Sequence, residues 1–381
     1  MEIEKKTLSP ALAQIKELLK DDSKYVVCQT APACRVSLGE MFNNPIGTKV
    51  TGKMVNSLKK LGFKGVFDTN FGADVTIWEE SNEFYNRVKN NGPFPMFTSC
   101  CSGWLNMACR MYKDPVITSG LISTVKAPIG CLGAIIKTYY ASKINVDPKN
   151  IVVVAFVPCV LKTRESNMPF NKINGMKDVD ICLTTKDLAN LIIDADIDFN
   201  SLEDAEFDNP LGESSGGAVI FGRSGGVLES SLRNAIYMDK KEVFSGDFNF
   251  KQSTLSPDIM EAKINLAGKE LLVCHTGSMG VKKIIDLAKQ GNCPYNFVEV
   301  MACPGGCIMG GGQPVHLPKE GVTPIQVRQL RAKGLNDIDS NQKIRVPALN
   351  ESVIKLYNDY FDSKPGSSKA EEVLHRDYSI Q

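Results

Sequence analysis

The sequence predicts an α/β fold, with mostly parallel, twisted sheets flanked by helices, on three observations. Short apolar runs that read as buried strands alternate with longer amphipathic stretches at helical spacing. That alternation persists from Tyr25 to Met301, which excludes an all-helical or all-sheet domain. The chain also has 381 residues, 43% of them hydrophobic and 23% charged, enough for one large or two moderate cores.

Taken in order, Ser9 followed by Pro10 opens an amphipathic helix through Lys20, and Tyr25 to Cys28 reads as a short buried strand. A helix near Val50 to Leu61, a strand at Gly65 to Phe67 and a long helix from Ala73 to Asn90 come next. Further strands are expected at Met96 to Thr98, Ile151 to Val157, Val179 to Leu183, Leu271 to Cys274 and Phe297 to Met301. The polar, Gly/Ser-rich stretch Asp362 to Lys369 reads as a loop before a last short helix at Ala370 to His375.

A net charge of +1 gives no global reason to expect nucleic acid or an anionic membrane as partner. The N-terminal MEIEKKTLSP is charged and lacks the apolar core of a secretory signal. The longest apolar run, Ile151 to Val157, is far short of the roughly 18 residues a spanning helix needs. A cytoplasmic location is therefore expected, and the 12 cysteines read as thiols or metal ligands rather than disulfides.

Residues Glu299 to Pro314, EVMACPGGCIMGGGQP, join Cys303 and Cys307 to a run of glycines. Cys303 is expected at a strand end with Pro304 at a first helical position, where a helix N-terminus favours the thiolate. Gly310, Gly311 and Gly312 add no side-chain bulk, so the main chain can approach a cofactor closely. No Gly-Lys-Ser/Thr comes after them and no GxGxxG opens a nucleotide site. Two more cysteine segments lie just after predicted strands, FTSCCSGW (Phe97 to Trp104) and VPCVLKTRE (Val157 to Glu165). Ligands of such sheets collect at strand C-termini. Adjacent cysteines rarely point at one centre, so one of Cys100 and Cys101 is expected to be a ligand and the other free. A set such as Cys101, Cys159, Cys303 and Cys307 suits a cubane iron–sulfur cluster. Structural zinc is the rival, although it usually shows two close cysteine pairs and only one occurs here. On the long helix Glu80, Glu83 and Arg87 share one face, a spacing most often explained by a solvated salt-bridged stripe.

Together the three cysteine segments resemble the signature motifs of the [FeFe]-hydrogenases, TSCCPxW, MPCxxKxxE and ExMACxGGCxxGGGQP. The resemblance extends over TAPACRVSLGE (Thr30 to Glu40), FGADVTIWEE (Phe71 to Glu80), IKTYYA (Ile136 to Ala141), IFGRSGGV (Ile220 to Val227) and the closing pair Leu374 and His375. It implies one catalytic domain over residues 1–381, with lobes near 1–150 and 151–330, C-terminal helices over 331–381, and a cofactor in the cleft between the lobes. That cofactor is the H-cluster, a [4Fe-4S] cubane joined to a diiron subcluster bearing CO, cyanide and a bridging dithiolate. Carried onto this chain, Cys101, Cys159, Cys303 and Cys307 hold the cubane, and Cys307 bridges to the diiron unit. Cys100 becomes the free proton-transferring thiol, Lys162 a hydrogen-bond donor to cyanide, and Pro32, Phe221 and Met301 the apolar wall. Cys100, Glu80, Ser123 and Glu83 become a proton path whose outer acid is held by Arg87.

The implied reaction is the reversible conversion of two protons and two electrons into H2, in the cytoplasm or an anaerobic organelle. Ferredoxin or a similar carrier would be the electron partner, and maturation proteins would deliver the diiron unit. No CxxCxxC run precedes Thr30, so a bare catalytic core without accessory clusters is expected. Four positions depart from the pattern: Ser102 for proline, Val157 for methionine, Ile129 for glutamine and Ala33 for serine. The other readings are a hydrogen sensor and a Narf-like iron–sulfur assembly protein without H2 chemistry.

Overall fold

Two sheets set the position of every site residue. The computed structural model describes residues 9–317 and 321–380, so the start of the charged N-terminal stretch lies outside it. In chain order the strands are β1 (Tyr25–Thr30), β2 (Gly65–Asp68), β3 (Met96–Phe97), β4 (Ile151–Val157), β5 (Lys172–Ile173), β6 (Met176–Lys177), β7 (Ile181–Thr184), β8 (Lys251–Gln252), β9 (Ile259–Leu266), β10 (Lys269–Thr276) and β11 (Phe297–Val300). The first sheet, β2-β1-β4-β7, is entirely parallel. Its central strands, YVVCQT and IVVVAFV, are rich in β-branched residues and buried on both faces, as a helix-covered parallel sheet requires. The second sheet runs β3-β11-β10-β9-β8, parallel among the first three strands and antiparallel beyond β10.

The expected division of lobes near residue 150 is corrected by this topology. Strands β4 and β7 come after that point yet pair into the sheet of β1, whereas β3 precedes it and pairs with β11. Parallel neighbours need crossover connections, so strands adjacent in space are distant in sequence. Strand β9 is absent from the sequence expectation. It joins β10 through Ala267 and Gly268, both at positive φ (50° and 74°), and alanine at such a position hides the usual hairpin signal.

The helices that matter are α1 (Pro10–Lys20), α2 (Thr51–Lys60), α3 (Thr69–Lys89), α4 (Ser102–Met111) and α5 (Pro128–Ile135). Ser9 caps α1 as predicted, accepting from the Leu12 N–H at 3.4 Å. Helix α3 starts four residues earlier than expected because the Asp68 carboxylate caps it, accepting from the Asn70 N–H at 2.9 Å. It is buried nearly all round and spans both lobes: Phe71 and Val75 enter the first core, while Phe84 and Val88 enter the other, where Phe84 stacks on Phe297 at 4.5 Å. At Gly72 an added Cβ would lie 2.3 Å from the Pro128 carbonyl, so α3 and α5 meet at the closest approach a side chain would block. Carboxylates on α3 therefore lie inside the protein rather than on a solvated stripe. Among the described residues no helix is long and apolar enough to cross a membrane.

Candidate metal centre

Three strand ends deliver the cysteines. β4 runs into Pro158 and Cys159, β3 into Cys100 and Cys101, and β11 into Met301 and Cys303, so both sheets present their C-terminal edges to one cavity. Cys100, Cys101, Cys159 and Cys307 line it, together with Lys162, and Pro32, Phe221 and Met301 form part of its apolar wall. Cys303 sits beside the same group: burial pushes its thiol up to about 11, with Cys101 and Cys159 adding to the effect. Burial likewise holds the Cys307 thiol well above its usual range, reinforced by Cys101, Cys159 and Cys303. All four expected ligands are thus gathered.

The local reason differs from the sequence expectation. Pro304 lies in a turn, and the next element is a 3-10 turn, Cys307–Met309, rather than a helix, so neither thiol gains a helix N-terminus. That position belongs to Cys101, the N-cap of α4, whose Sγ lies 3.4 Å from the Ala302 N–H. Burial still outweighs these donors and raises the Cys101 thiol. The Cys101, Cys303 and Cys307 thiols, which resist ionisation by themselves, suit a metal, whose charge deprotonates them outright. Zinc–sulfur bonds of about 2.3 Å would bring the sulfurs to about 3.8 Å from one another. Among the described residues no three Cys, His, Asp or Glu side chains gather closely enough for a single ion. The wider arrangement fits a cluster.

The glycines also pack against neighbouring backbone. A Cβ at Gly310 would sit 2.3 Å from the Pro158 carbonyl, and one at Gly306, where φ is 92°, would sit 2.6 Å from the Ser224 nitrogen. The glycines seat the loop against neighbouring backbone, which brings Cys307 beside Cys159. Gln313 then ties the loop to the Pro32 turn, donating to the Ala33 carbonyl at 3.1 Å and accepting from the Ser37 hydroxyl at 2.8 Å. Buried Arg331 holds it from behind through the carbonyls of Ile308 and Pro314.

Lys162 is not the solvated lysine its isolated position would suggest. Its ammonium donates to the Cys100 carbonyl at 2.9 Å and pairs with Glu165 at 2.7 Å. The other Glu165 oxygen takes Arg376 at 2.7 Å, and the Ser102 hydroxyl joins the network. Burial opposes ionisation of Glu165, yet Lys162 and Arg376 outweigh it and hold the carboxyl below its usual range. Sequence reasoning misses both Glu165 and Arg376; the i, i+3 spacing of Lys162 and Glu165 is the available signal for the first. Arg376 has none, because it reaches the site from the far end of the chain.

From the cavity outward, Cys100 is buried, and burial and Glu80 raise its thiol well above the usual range. Glu80 is fully buried; one oxygen accepts from the Ser99 N–H at 3.2 Å, and the other has no partner among the described residues. Burial, then the nearby Glu83 carboxylate, raises its carboxyl to about 8. The Ser123 hydroxyl donates to Glu83 at 2.8 Å, and Arg87 closes the series on Glu83 at 2.5 Å.

Glu80 at about 8, and Asp74 and Glu299 each raised by burial to about 7, are protonated in the fold where the unfolded chain is ionised. A raised carboxyl contributes stability that is full below its unfolded pKa and lost as pH rises through the folded one. His275, depressed by burial to about 4, works oppositely but only below about 6.5. The metal-free protein is therefore expected to lose stability steadily from pH 6.5 to 8. Urea midpoints that stay level or rise across this window would contradict the buried-acid reading.

Residues 24–311 match the family model described as iron-only hydrogenase large subunit, C-terminal domain. Residues 325–381 match iron hydrogenase small subunit. The chain belongs to the iron-only hydrogenase family. It is 40% identical over 367 residues to iron hydrogenase 1 of Clostridium pasteurianum, covering 96% of this chain and 63% of that protein's length. It is 43% identical over 309 residues to the periplasmic [Fe] hydrogenase large subunit of Nitratidesulfovibrio vulgaris, covering 79% of this chain and 72% of the other. The apo [FeFe]-hydrogenase HydA1 of Chlamydomonas reinhardtii superposes with a TM-score of 0.85 at 32% identity, over 97% of this chain and 98% of that one. At 30% identity the chain also matches protein NAR1 of Arabidopsis thaliana, over 99% of this chain and 81% of the other. Members of the iron-only hydrogenase family carry the H-cluster, and the four gathered thiols, the apolar wall and Lys162 fit that group. Three departures from the hydrogenase pattern, Ala33, Ile129 and Val157, line the cavity itself, whereas Ser102 acts one step away through Glu165.

Proposed function

We propose that this chain catalyses the interconversion of protons, electrons and H2 at an H-cluster. The observation that carries the reading is the series from buried Cys100, Glu80 and Ser123 to half-buried Glu83 and Arg87, which runs from a cavity thiol outside the four-ligand set toward the surface. A cluster held only for assembly or electron transfer has no use for it. In this reading Cys101, Cys159, Cys303 and Cys307 hold the cubane, and Cys307 also joins the diiron unit. When bound, that unit supplies the metal chemistry at which protons and electrons combine.

The chain's own residues supply the rest. Lys162 carries three N–H donors; Glu165 and the Cys100 carbonyl take two, which leaves one for a cyanide in the cavity it lines. Pro32, Phe221 and Met301 keep the site dry. The Cys100 thiol gives and takes the proton at the cavity. Glu80, neutral at pH 7 because of its burial, exchanges it with the Ser123 hydroxyl, and Glu83 carries it outward while Arg87 fixes the carboxylate. Ferredoxin or a similar carrier would feed the cubane, whose ligand Cys303 is partly exposed. The twelve cysteines, all free, support a reducing cytoplasmic setting. Maturation proteins would deliver the diiron unit.

The protein matured with the diiron unit is expected to show infrared bands of metal-bound CO and cyanide and to evolve H2 from a reduced dye. A cubane spectrum alone after competent maturation would favour the assembly reading, which the similarity to protein NAR1 keeps open. Bands with negligible turnover would favour a sensor.

A further inference from the structure

We infer that His375, paired with Glu79, exchanges protons between bulk water and Glu83 at the mouth of the proton path. The inference rests on the function proposed above. A separate cavity of about 310 Å³ is lined by Glu83, Arg87, Thr124, His375, Glu79 and Glu371 among others. It is roomy enough for several water molecules. Asn86, Asn90 and Glu371 at its rim are exposed, so it opens to solvent. Glu83 and Arg87 enter it as the last members of the series, and His375 faces the same space from the C-terminal segment.

The imidazole is held at both nitrogens. Nδ1 lies 2.8 Å from the Thr124 hydroxyl and Nε2 lies 3.2 Å from a Glu79 oxygen. Glu79 is buried and also accepts from the Tyr357 hydroxyl at 2.5 Å and the Gly366 N–H at 2.8 Å. Thr124 adjoins Ser123, whose hydroxyl reaches Glu83, so one short segment touches both the buried relay and the imidazole. The charged and titratable groups around His375 are Glu79, Glu83 and Arg87 from α3, Tyr357 from the helix Glu351–Tyr360, and Glu371 from the helix Ser368–Leu374.

The Glu83 carboxylate is engaged by Arg87 and by the Ser123 hydroxyl, which leaves His375 as a further group at the cavity able to exchange protons with water. An imidazole can take a proton at one ring nitrogen and release one at the other, so at the rim of this cavity it can pass protons between bulk water and the water beside Glu83. A merely structural role, clamping the C-terminus to α3 through Glu79, would cost activity equally at every pH. The two roles therefore separate.

The test uses H-cluster-loaded H375A and H375Q proteins, with H2 evolution from a reduced dye followed between pH 6 and 8. Expected is a several-fold loss at pH 8 that shrinks toward pH 6, where hydronium supplies Glu83 directly, and recovery of H375A on adding imidazole. Infrared bands should be unchanged. A loss of equal size at all pH values that imidazole does not relieve, or no loss, would overturn the inference; H375Q preserves a hydrogen-bonding side chain should H375A fail to fold. An inactive parent protein would instead sink the proposed function.

Discussion

Cys100→Ala is expected to lower H2 turnover by about 10²- to 10⁴-fold, the usual weight of a positioned acid and base, while leaving the CO and cyanide bands in place. Cys100 lines the cavity, yet the ligand position next to it belongs to Cys101, which caps α4 and lies against the Ala302 N–H. In the proposed reading, removing the Cys100 thiol therefore deletes the first proton carrier without deleting a cluster ligand. Behind it stands Glu80, buried and protonated at neutral pH. Turnover within twofold of the parent would remove Cys100 from the relay, and loss of the infrared bands would make it a structural part of the cofactor site.

Glu165→Ala is expected to destabilise the metal-free fold by about 3–5 kcal/mol, because it strands buried cations. Arg376 and Glu165 are 1% and 3% exposed in their side chains and Lys162 12%, so water cannot replace the lost carboxylate. Since Glu165 is held below the usual 4.5, its stabilisation is present above that pH and lost as pH falls through the folded value. The gap between parent and variant should accordingly be full at pH 7 and narrow in acid. Urea unfolding at several pH values measures it; a cost below about 1 kcal/mol at pH 7, the surface-pair range, would show the network to be solvated. The same variant should perturb the cyanide bands, since Lys162 loses the partner that positions it.

Three of the proposed cluster ligands, Cys101, Cys159 and Cys303, follow a local rule in the sequence: each comes soon after a strand, the edge where ligands of α/β sheets collect. Helix α3 is legible too, and with it the spacing of Glu80, Glu83 and Arg87. The burial of Glu80 is not, since a charged stripe at helical spacing looks the same whether it faces water or a second lobe. The glycines signal close approach, and the structure adds the backbone neighbours that require it, Pro158 at Gly310 and Ser224 at Gly306. Residue type shows that bulk is excluded and leaves open what excludes it.

The sequence by itself determined the cysteine segments, the strand and helix alternation and the family resemblance, because hydrophobic period and thiol chemistry act over a few residues. The tertiary structure alone decided which sheet each strand joins, the burial that holds Glu80 protonated, and the reach of Arg376 and His375 to the site from the end of the chain. These depend on which segments exclude water from one another, and that is a property of long-range packing that no local pattern carries.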